Sequence, residues 1–418
     1  MVRLSSDLKA YGQALISVEQ ATARAAALVA PVTETTVVAL AAADGRVLAR
    51  DVVAGLALPP FANSAVDGYA VRFRDLAAEG ESRLAVAGRV AAGSAVLEHA
   101  VERAAIRIFT GAALPAGADT VFMQEDVVRD GEVVRLPPGL KRGANVRPPG
   151  EDIAAGEIAL KAGQRLRPQD IALLAALGTT QVEVRRRPVI ALFSTGDELT
   201  EPGQPLRPAA IYDANRSLLR AMVERAGADV LDLGILRDDP VELAGRLAGA
   251  ASHCDLILTS GGVSVGEEDH VKAAVERHGA VDLWRVGIKP GRPVAIGAVE
   301  GTPFIGLPGN PVAVFVTFAF IARPLIARLA GADFRPQPTV PVRLGFSCEK
   351  KAGRREYLRV SLSPGADGVM LALRHPQGGA GALASLSRTD GLVELAEALT
   401  EIEEGRVVPF HSYEALMA

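Results

Sequence analysis

Val189-Ile190-Ala191-Leu192-Phe193-Ser194-Thr195-Gly196-Asp197-Glu198 is a wholly apolar run that breaks into a polar, glycine-containing loop. Consecutive apolar residues without polar alternation are what a strand buried on both faces requires. Outward from this run the chain alternates. Leu218 to Ala226 has a helical pattern, Val230 to Ile235 is apolar, and Pro240 to Ala251 is helical again. Asp255 to Thr259 reads as a strand and Asp269 to His278 as a helix; strands over Val281 to Val286, Val294 to Gly297 and Phe304 to Leu307 precede a helix over Val312 to Leu329. This order predicts right-handed crossover units and a doubly wound, largely parallel sheet, with ligand loops beyond the carboxyl ends of its strands.

On the N-terminal side, Ser17 and Gln20 have capping-box spacing before a helix that Pro31 ends. Short apolar runs between Gly, Pro and Asp follow, with strands expected over Ala85 to Ala92, Ala105 to Ile108, Thr120 to Met123 and Val133 to Leu136. Pro168 to Leu177 reads as a helix stopped by Gly178. Beyond the turn-rich Gly331 to Pro341, short alternating runs predict a small β-barrel or sandwich. The expected organisation is multidomain α/β and β. Residues 1–52 and 145–186 form a helical, extended linking domain whose first helix can pack on the α/β domain. A β-rich module is inserted over 53–144, the central α/β domain spans 187–331, and a C-terminal β-barrel spans 332–418. No internal repeat is found.

Composition narrows function by exclusion. The 418 residues call for roughly two to four domains, and 49% hydrophobic against 22% charged residues excludes extensive disorder. A net charge of -4 offers no overall attraction to nucleic acid or anionic lipid, so any anion must be caught locally. Aromatic residues are only 4%, too few for stacked nucleic-acid platforms. The two cysteines, Cys254 and Cys348, lack metal or disulfide spacing, which fits a reducing cytoplasm. The apolar stretch Val312 to Ala322 is expected to break at Arg323-Pro324, short of a membrane span, and Met1 to Leu15 has no signal-peptide pattern.

Several strand-end loops carry chemistry. Thr259 to Gly266, with Ser260, Gly261, Gly262, Ser264 and Gly266, can turn unpaired backbone N–H groups toward an anion. Glu267 and Glu268 stand where a P-loop has Lys and Ser/Thr, which excludes an ordinary P-loop NTPase; a capped tight turn explains the loop equally well on its own. Gly196, Asp197 and Glu198 end the next loop, where Asp197 taken alone reads better as a cap. Asp239 before Pro240 is an expected N-cap, which leaves Asp238 for a ligand or Mg2+. Lys289 and Arg292 lie in a Pro/Gly-stiffened loop preceded by Arg285, a setting for phosphate or molybdate or simply a basic surface turn. Pro308-Gly309-Asn310-Pro311 opens the apolar helix. Leu58 to Ala70 reads as a polar loop in which Asp67 before Gly68 favours a turn over a ligand; Thr110 and Asp152 call for the same caution. No histidine pair or serine-hydrolase motif is present.

Taken together, Pro59 to Ala70, Thr110 to Asp119, Ser194 to Leu199, Ser260 to Gly266, Ile288 to Pro293 and Gly306 to Pro311 resemble the molybdopterin molybdenumtransferase family, MoeA in bacteria and the gephyrin E domain in animals. The strings occur in the family's order through nearly the whole chain. The resemblance implies a molybdopterin-binding, MogA-like α/β domain and Mg2+-dependent insertion of molybdate into adenylylated molybdopterin, with release of AMP. It implies a homodimer whose cleft joins the sheet edge of one subunit to the inserted module of the other, and handover of product to other cofactor-biosynthesis proteins or molybdoenzymes. No nucleic-acid or membrane partner is implied.

Carried over by position, the functional residues would be Asp67, Thr110, Asp152, Glu198, Asp238, Asp269, Arg285, Lys289, Arg292, Pro308, Pro311 and Ser385. Glu198, Asp238 and Asp269 are the Mg2+ candidates, Lys289 and Arg292 the oxyanion holders, and Arg354, Arg359 and Ser385 the contributors from the last domain. Arg285 and Arg292 stand where many relatives resemble lysine-bearing strings, and Ala313 where relatives often have serine. The alternatives are a molybdopterin adenylyltransferase and a gephyrin-like scaffold.

Overall fold

The protein is described from a computed structural model covering residues 15–95, 102–262, 270–336 and 338–417. Its central sheet has six strands in the order Asp229–Leu236, Val189–Thr195, Leu256–Ser260, Thr302–Leu307, Pro293–Val299, Gly279–Arg285. The first four run parallel to one another, with Ser194 opposite Ser260 and Ser260 opposite Leu307. Pro293–Val299 runs antiparallel to both its neighbours. It joins Thr302–Leu307 through a turn in which Glu300 and Gly301 both take positive φ, 48° and 85°, the backbone of a tight hairpin. The sheet is therefore largely parallel, with one reversed strand.

Side chains alternate across the sheet and feed two cores. Ile190, Leu192, Leu256 and Leu258 face one side, with helices Ala214–Arg225, Val18–Ala26 and Pro311–Leu329. Ala191, Phe193, Ile257 and Phe304 face the other, with helices Pro240–Ala251 and His270–His278. Ser17 and Gln20 cap the first helix reciprocally.

The helix expected over Val312 to Leu329 is present, but the apolar stretch does not end at Arg323-Pro324. Pro311–Leu329 is one 19-residue helix, long and apolar enough to cross a bilayer, but 83% of it is buried inside the protein. Pro324 lacks the N–H that would bond Phe320 O. A π-turn over Phe318–Ala322 accommodates it, and Thr22 Oγ1 of the first helix lies 3.1 Å from that carbonyl.

Three antiparallel pairings lead to the inserted sheet: Thr35–Ala39 with Gln181–Arg185, Val52–Val53 with Ile158–Leu160, and Asn63–Ser64 with Val146–Arg147. That sheet has the order Thr120–Met123, Gly68–Val71, Ala104–Ile108, Ser82–Val90, Val133–Leu136, Val128–Asp130. Gly68–Val71, which the sequence placed in a polar loop, is a fully buried strand. A Cβ on Gly68 would stand 1.8 Å from Phe122 O, so only glycine fits.

The C-terminal unit is a closed five-stranded barrel. Arg355–Pro364 pairs with both Met370–Arg374 and Gly391–Leu395; Val407–Ser412 then links Gly391–Leu395 to Val340–Leu344, which returns to Met370–Arg374. Val342, Leu344, Val360, Val393 and Phe410 fill it. Ile288–Lys289, from the cation loop of the α/β domain, pairs with the start of the long barrel strand and sets Lys289 opposite Glu356.

Candidate functional site

Topology puts the chemistry on one edge. The four parallel strands and Gly279–Arg285 end there, and the reversed strand Pro293–Val299 begins there. The loops carrying Glu198, Asp238, Gly261-Gly262, Pro308 to Asn310 and Lys289 to Arg292 therefore share that edge. Strand order sorts them by charge. Asp238 and Glu198 follow the two strands at one end, the neutral glycine loops lie between, and Lys289, Arg292 and Arg285 occupy the other end.

At the neutral and basic part of the edge the barrel closes a cavity of about 480 Å3. Gly261, Gly262, Lys289, Pro290, Gly291, Pro308, Gly309, Asn310 and Ala313 line it from the α/β domain, and Tyr357, Arg359, Arg374, His375 and Gly378 from the barrel. None of the described lining residues is acidic. Glycine is required at two of these positions. Gly262 has φ 63°, and a Cβ would lie 2.3 Å from Val271 Cγ2; Gly291 has φ 112°, and a Cβ would lie 2.4 Å from Thr317 Cγ2. Asn310 N-caps the apolar helix and Pro311 follows at its first turn. Asn215 Nδ2 donates to Gly309 O at 2.6 Å, and Val312 N–H donates to Ala380 O of the barrel at 3.0 Å.

The cations are held in place. Lys289 Nζ donates to Glu356 Oε2 at 3.0 Å, while Arg354 Nη2 holds Glu356 Oε1 at 3.1 Å. Arg359 is buried and donates through Nη2 to Gln377 O and Gly379 O at 2.7 and 3.1 Å. Burial pushes its pKa down. At the acidic end, Thr195 Oγ1 donates to Asp238 Oδ1 at 2.5 Å. The Glu198 carboxylate folds over Gly196, where a Cβ would meet it at 2.6 Å. Asp197 is exposed and leads into a short strand rather than a helix, and its carbonyl accepts from Arg207. Asp239 accepts from Val241 and Glu242 N–H as the N-cap, leaving Asp238 aside.

The remaining positions lie elsewhere. Ser260 is buried at its strand end. Arg285 and Arg292 flank the cavity without lining it; their carbonyls accept from Ile16 and Val286 N–H. Arg354 reaches the site through Glu356. Ser385 is fully buried and donates to Ala382 O at 2.5 Å. Asp67 and Thr110 meet in the inserted module, where Thr110 N and Oγ1 both donate to Asp67 Oδ1 at 2.8 Å. The Thr110 backbone bond, then its hydroxyl, hold the Asp67 carboxyl below its usual range. Asp152 is exposed, its N–H bonded to Leu58 O. None of these three lines the cavity of its own chain. Ser264, Gly266 and Asp269 lie outside the described residues.

Sequence reasoning missed Glu356, Asn215, Tyr357, Arg374 and His375. Glu356 had one available signal, an acidic residue between Arg354-Arg355 and the Tyr357-Leu358 pair of a strand, but its partner Lys289 is distant in the chain.

A doubly wound sheet whose strand-end loops meet a barrel over a cation-lined cavity is the small-molecule site of an anion-handling α/β protein. The comparisons make this specific. Residues 16–178 match the MoeA N-terminal region (domain I and II), 191–328 a probable molybdopterin binding domain, and 341–413 the MoeA C-terminal region (domain IV). The chain belongs to the molybdopterin molybdenumtransferase family. It is 41% identical to the molybdopterin molybdenumtransferase of Haemophilus influenzae over 78% of this chain and 81% of that protein. To the protein of that name from Nostoc sp. it is 38% identical over 90% and 88%. The crystal structure of the molybdopterin biosynthesis MoeA protein from Pyrococcus horikoshii OT3 superposes with a TM-score of 0.80 at 30% identity, covering 96% of this chain and all of that one (100%).

Proposed function

We propose that the chain is a molybdopterin molybdenumtransferase: it inserts molybdate into the dithiolene of adenylylated molybdopterin and releases AMP, in the cytoplasm. The observation that carries this reading is the cavity at the sheet edge, lined by Lys289, Arg359 and Arg374 and by glycine-rich backbone, with no acidic side chain among its described lining residues. Both substrates are anionic, one through its phosphates and thiolates and the other as an oxyanion. Fixed cations and backbone N–H groups, already held by Glu356 and the barrel carbonyls, bind such charge with little further ordering. Lys289 and Arg359 would hold the oxyanion, and the Gly261-Gly262 and Pro308 to Asn310 backbones the pterin side.

Among the described residues no three Asp, Glu, His or Cys side chains cluster as a metal site. Mg2+ commonly takes only one or two carboxylates and completes its shell with phosphate and water. Glu198 and Asp238, on neighbouring strand ends, fit that requirement, with Asp269 as a third ligand. The ion would neutralise phosphate charge during adenylate cleavage. Asp67, Thr110 and Asp152, remote from their own cavity's lining, would act across a homodimer on the cavity of the second subunit. Handover of product to molybdoenzymes or other cofactor-biosynthesis proteins would follow.

The test is incubation of the purified chain with adenylylated molybdopterin, Mg2+ and molybdate. Molybdate-stimulated AMP release is the expected result. Consumption of ATP with free molybdopterin would replace this reading with adenylylation, and binding without turnover would replace it with a scaffold.

A further inference from the structure

A second cavity, of about 700 Å3, lies at the opposite end of the sheet. Helices Ala214–Arg225 and Pro311–Leu329 both start at the edge described above, and this cavity is walled by their far ends, through Arg225, Arg323 and Ala327. The loop from Lys161 to Arg167 and the residues around Phe334 complete it.

Its charge is one-sided. Lys161, Arg165, Arg167, Arg225, Arg323 and Arg335 line it against a single carboxylate, Asp333, in a chain whose net charge is -4. Arg167 is paired with Asp170, but Lys161, Arg165, Arg225 and Arg335 form no ion pair among the described residues. Arg165 is built in: Nη1 donates to Gly45 O and Nη2 to Ala226 O, both at 2.9 Å. Gly227 makes room for it, since a Cβ there would lie 2.2 Å from Nη1. Arg323 lies over the Phe334 ring at 5.6 Å. Burial, then Arg187 outside the lining, presses the pKa of Arg165 downward, and burial, then Arg165, that of Arg323.

We propose that this cavity binds a small anion carrying two or more phosphoryl groups. A partly buried guanidinium such as that of Arg165, with no ion-pair partner among the described residues, is costly without a counter-charge. Several guanidinium forks match phosphoryl oxygens two at a time, and Arg165 is ordered before any ligand arrives. One monoanion would leave most of the lining charge unanswered, whereas a phosphate chain spans several cations, and the volume admits a nucleotide.

The test is titration calorimetry of the full chain with tripolyphosphate, ADP, inorganic phosphate and sulfate at constant ionic strength. Tripolyphosphate or ADP is expected to bind at least tenfold more tightly than phosphate or sulfate. Equal affinity for the first two assigns recognition to the phosphate chain, and tighter ADP binding assigns it to a nucleotide. Arg225→Ala with Arg335→Ala, both exposed, should weaken that binding at least tenfold and leave the melting curve in place. Lys289→Ala should leave it unchanged, which separates this cavity from the one at the other sheet edge. Absence of binding, loss on Lys289→Ala, or indifference to the paired substitution would overturn the proposal.

Discussion

Replacing Glu356 by Gln removes one charge and almost no volume where the barrel meets the cation loop. Two contacts change, Lys289 Nζ at 3.0 Å and Arg354 Nη2 at 3.1 Å. At such distances and an effective dielectric of about 20, each pair has a gross Coulomb energy of roughly 5 kcal/mol. Most of this is offset. The carboxylate is nearly buried and carries a desolvation cost, and Lys289 is 53% exposed and already solvated. A net loss of about 1–2 kcal/mol in the positioning of Lys289 is expected, or about five- to thirtyfold in kcat/KM. The assay is steady-state AMP release against molybdate and adenylylated pterin, with circular dichroism to verify the fold. Because Glu356 acts through Lys289, the loss should vanish in a Lys289→Ala background, the double variant falling within about threefold of Lys289→Ala alone. Losses that multiply, or a Glu356→Gln enzyme of normal activity, would refute the reasoning.

Gly262→Ala sets a Cβ against Val271 and Thr195 at a positive φ; it should cost about 1–3 kcal/mol in urea unfolding and disable AMP release. Gly68→Ala drives a Cβ into Phe122 O, so hydrogen exchange should accelerate in 68–71 and 120–123 and stay slow in Val189–Thr195. Thr110→Val deletes the hydroxyl donor to Asp67, whose folded pKa is depressed below 3.8. The stabilisation from that bond is present above about pH 4 and lost as pH falls through the lowered value, so carboxyl NMR should show Asp67 titrating at higher pH in the variant. Burial pushes the Cys254 thiol up to about 11, so iodoacetamide at neutral pH should leave it unmodified in the folded chain.

The continuous apolar runs, Val189 to Phe193 and Leu256 to Leu258, announced the doubly wound sheet because buried parallel strands tolerate no polar alternation. The glycine loops after them were legible for the same local reason. What stayed hidden depended on partners distant in sequence or on signals masked by unfavourable residues. The hairpin at Glu300-Gly301 lacks the Asn-Gly or Asp-Gly pair that normally marks positive φ at both positions, so nothing local marked the reversal of Pro293–Val299. Gly68–Val71 looked like loop because its buried face includes Gly and Tyr, and Phe122, the neighbour that demands the glycine, lies in another strand. The helix was legible through Pro324, but the π-turn and the Thr22 contact that take up the carbonyl the proline leaves were not. Glu356 stands opposite Lys289 only because the barrel strand joins the cation loop.

The order of strands gives the edge a direction that no single motif carries. Strand Val189–Thr195, which presents Glu198, and strand Pro293–Val299, which begins after Lys289 and Arg292, are separated by the two strands between them. At about 4.8 Å per step this is roughly 14 Å, longer than a phosphate group and comparable to an extended pterin nucleotide. Carboxylates suited to a cation stand at one end, a cavity lined by Lys289, Arg359 and Arg374 at the other, and backbone-rich loops with obligatory glycines in between. A compact ligand could use only one end. Under the proposed reaction the substrate uses both, its pyrophosphate toward Glu198 and Asp238 and its sulfurs toward the oxyanion held by Lys289. Charges of opposite sign then serve a single molecule without meeting each other, and the barrel, fixed to the basic end by Glu356 and to the apolar helix by Ala380, walls one side of the end where the metal would be captured.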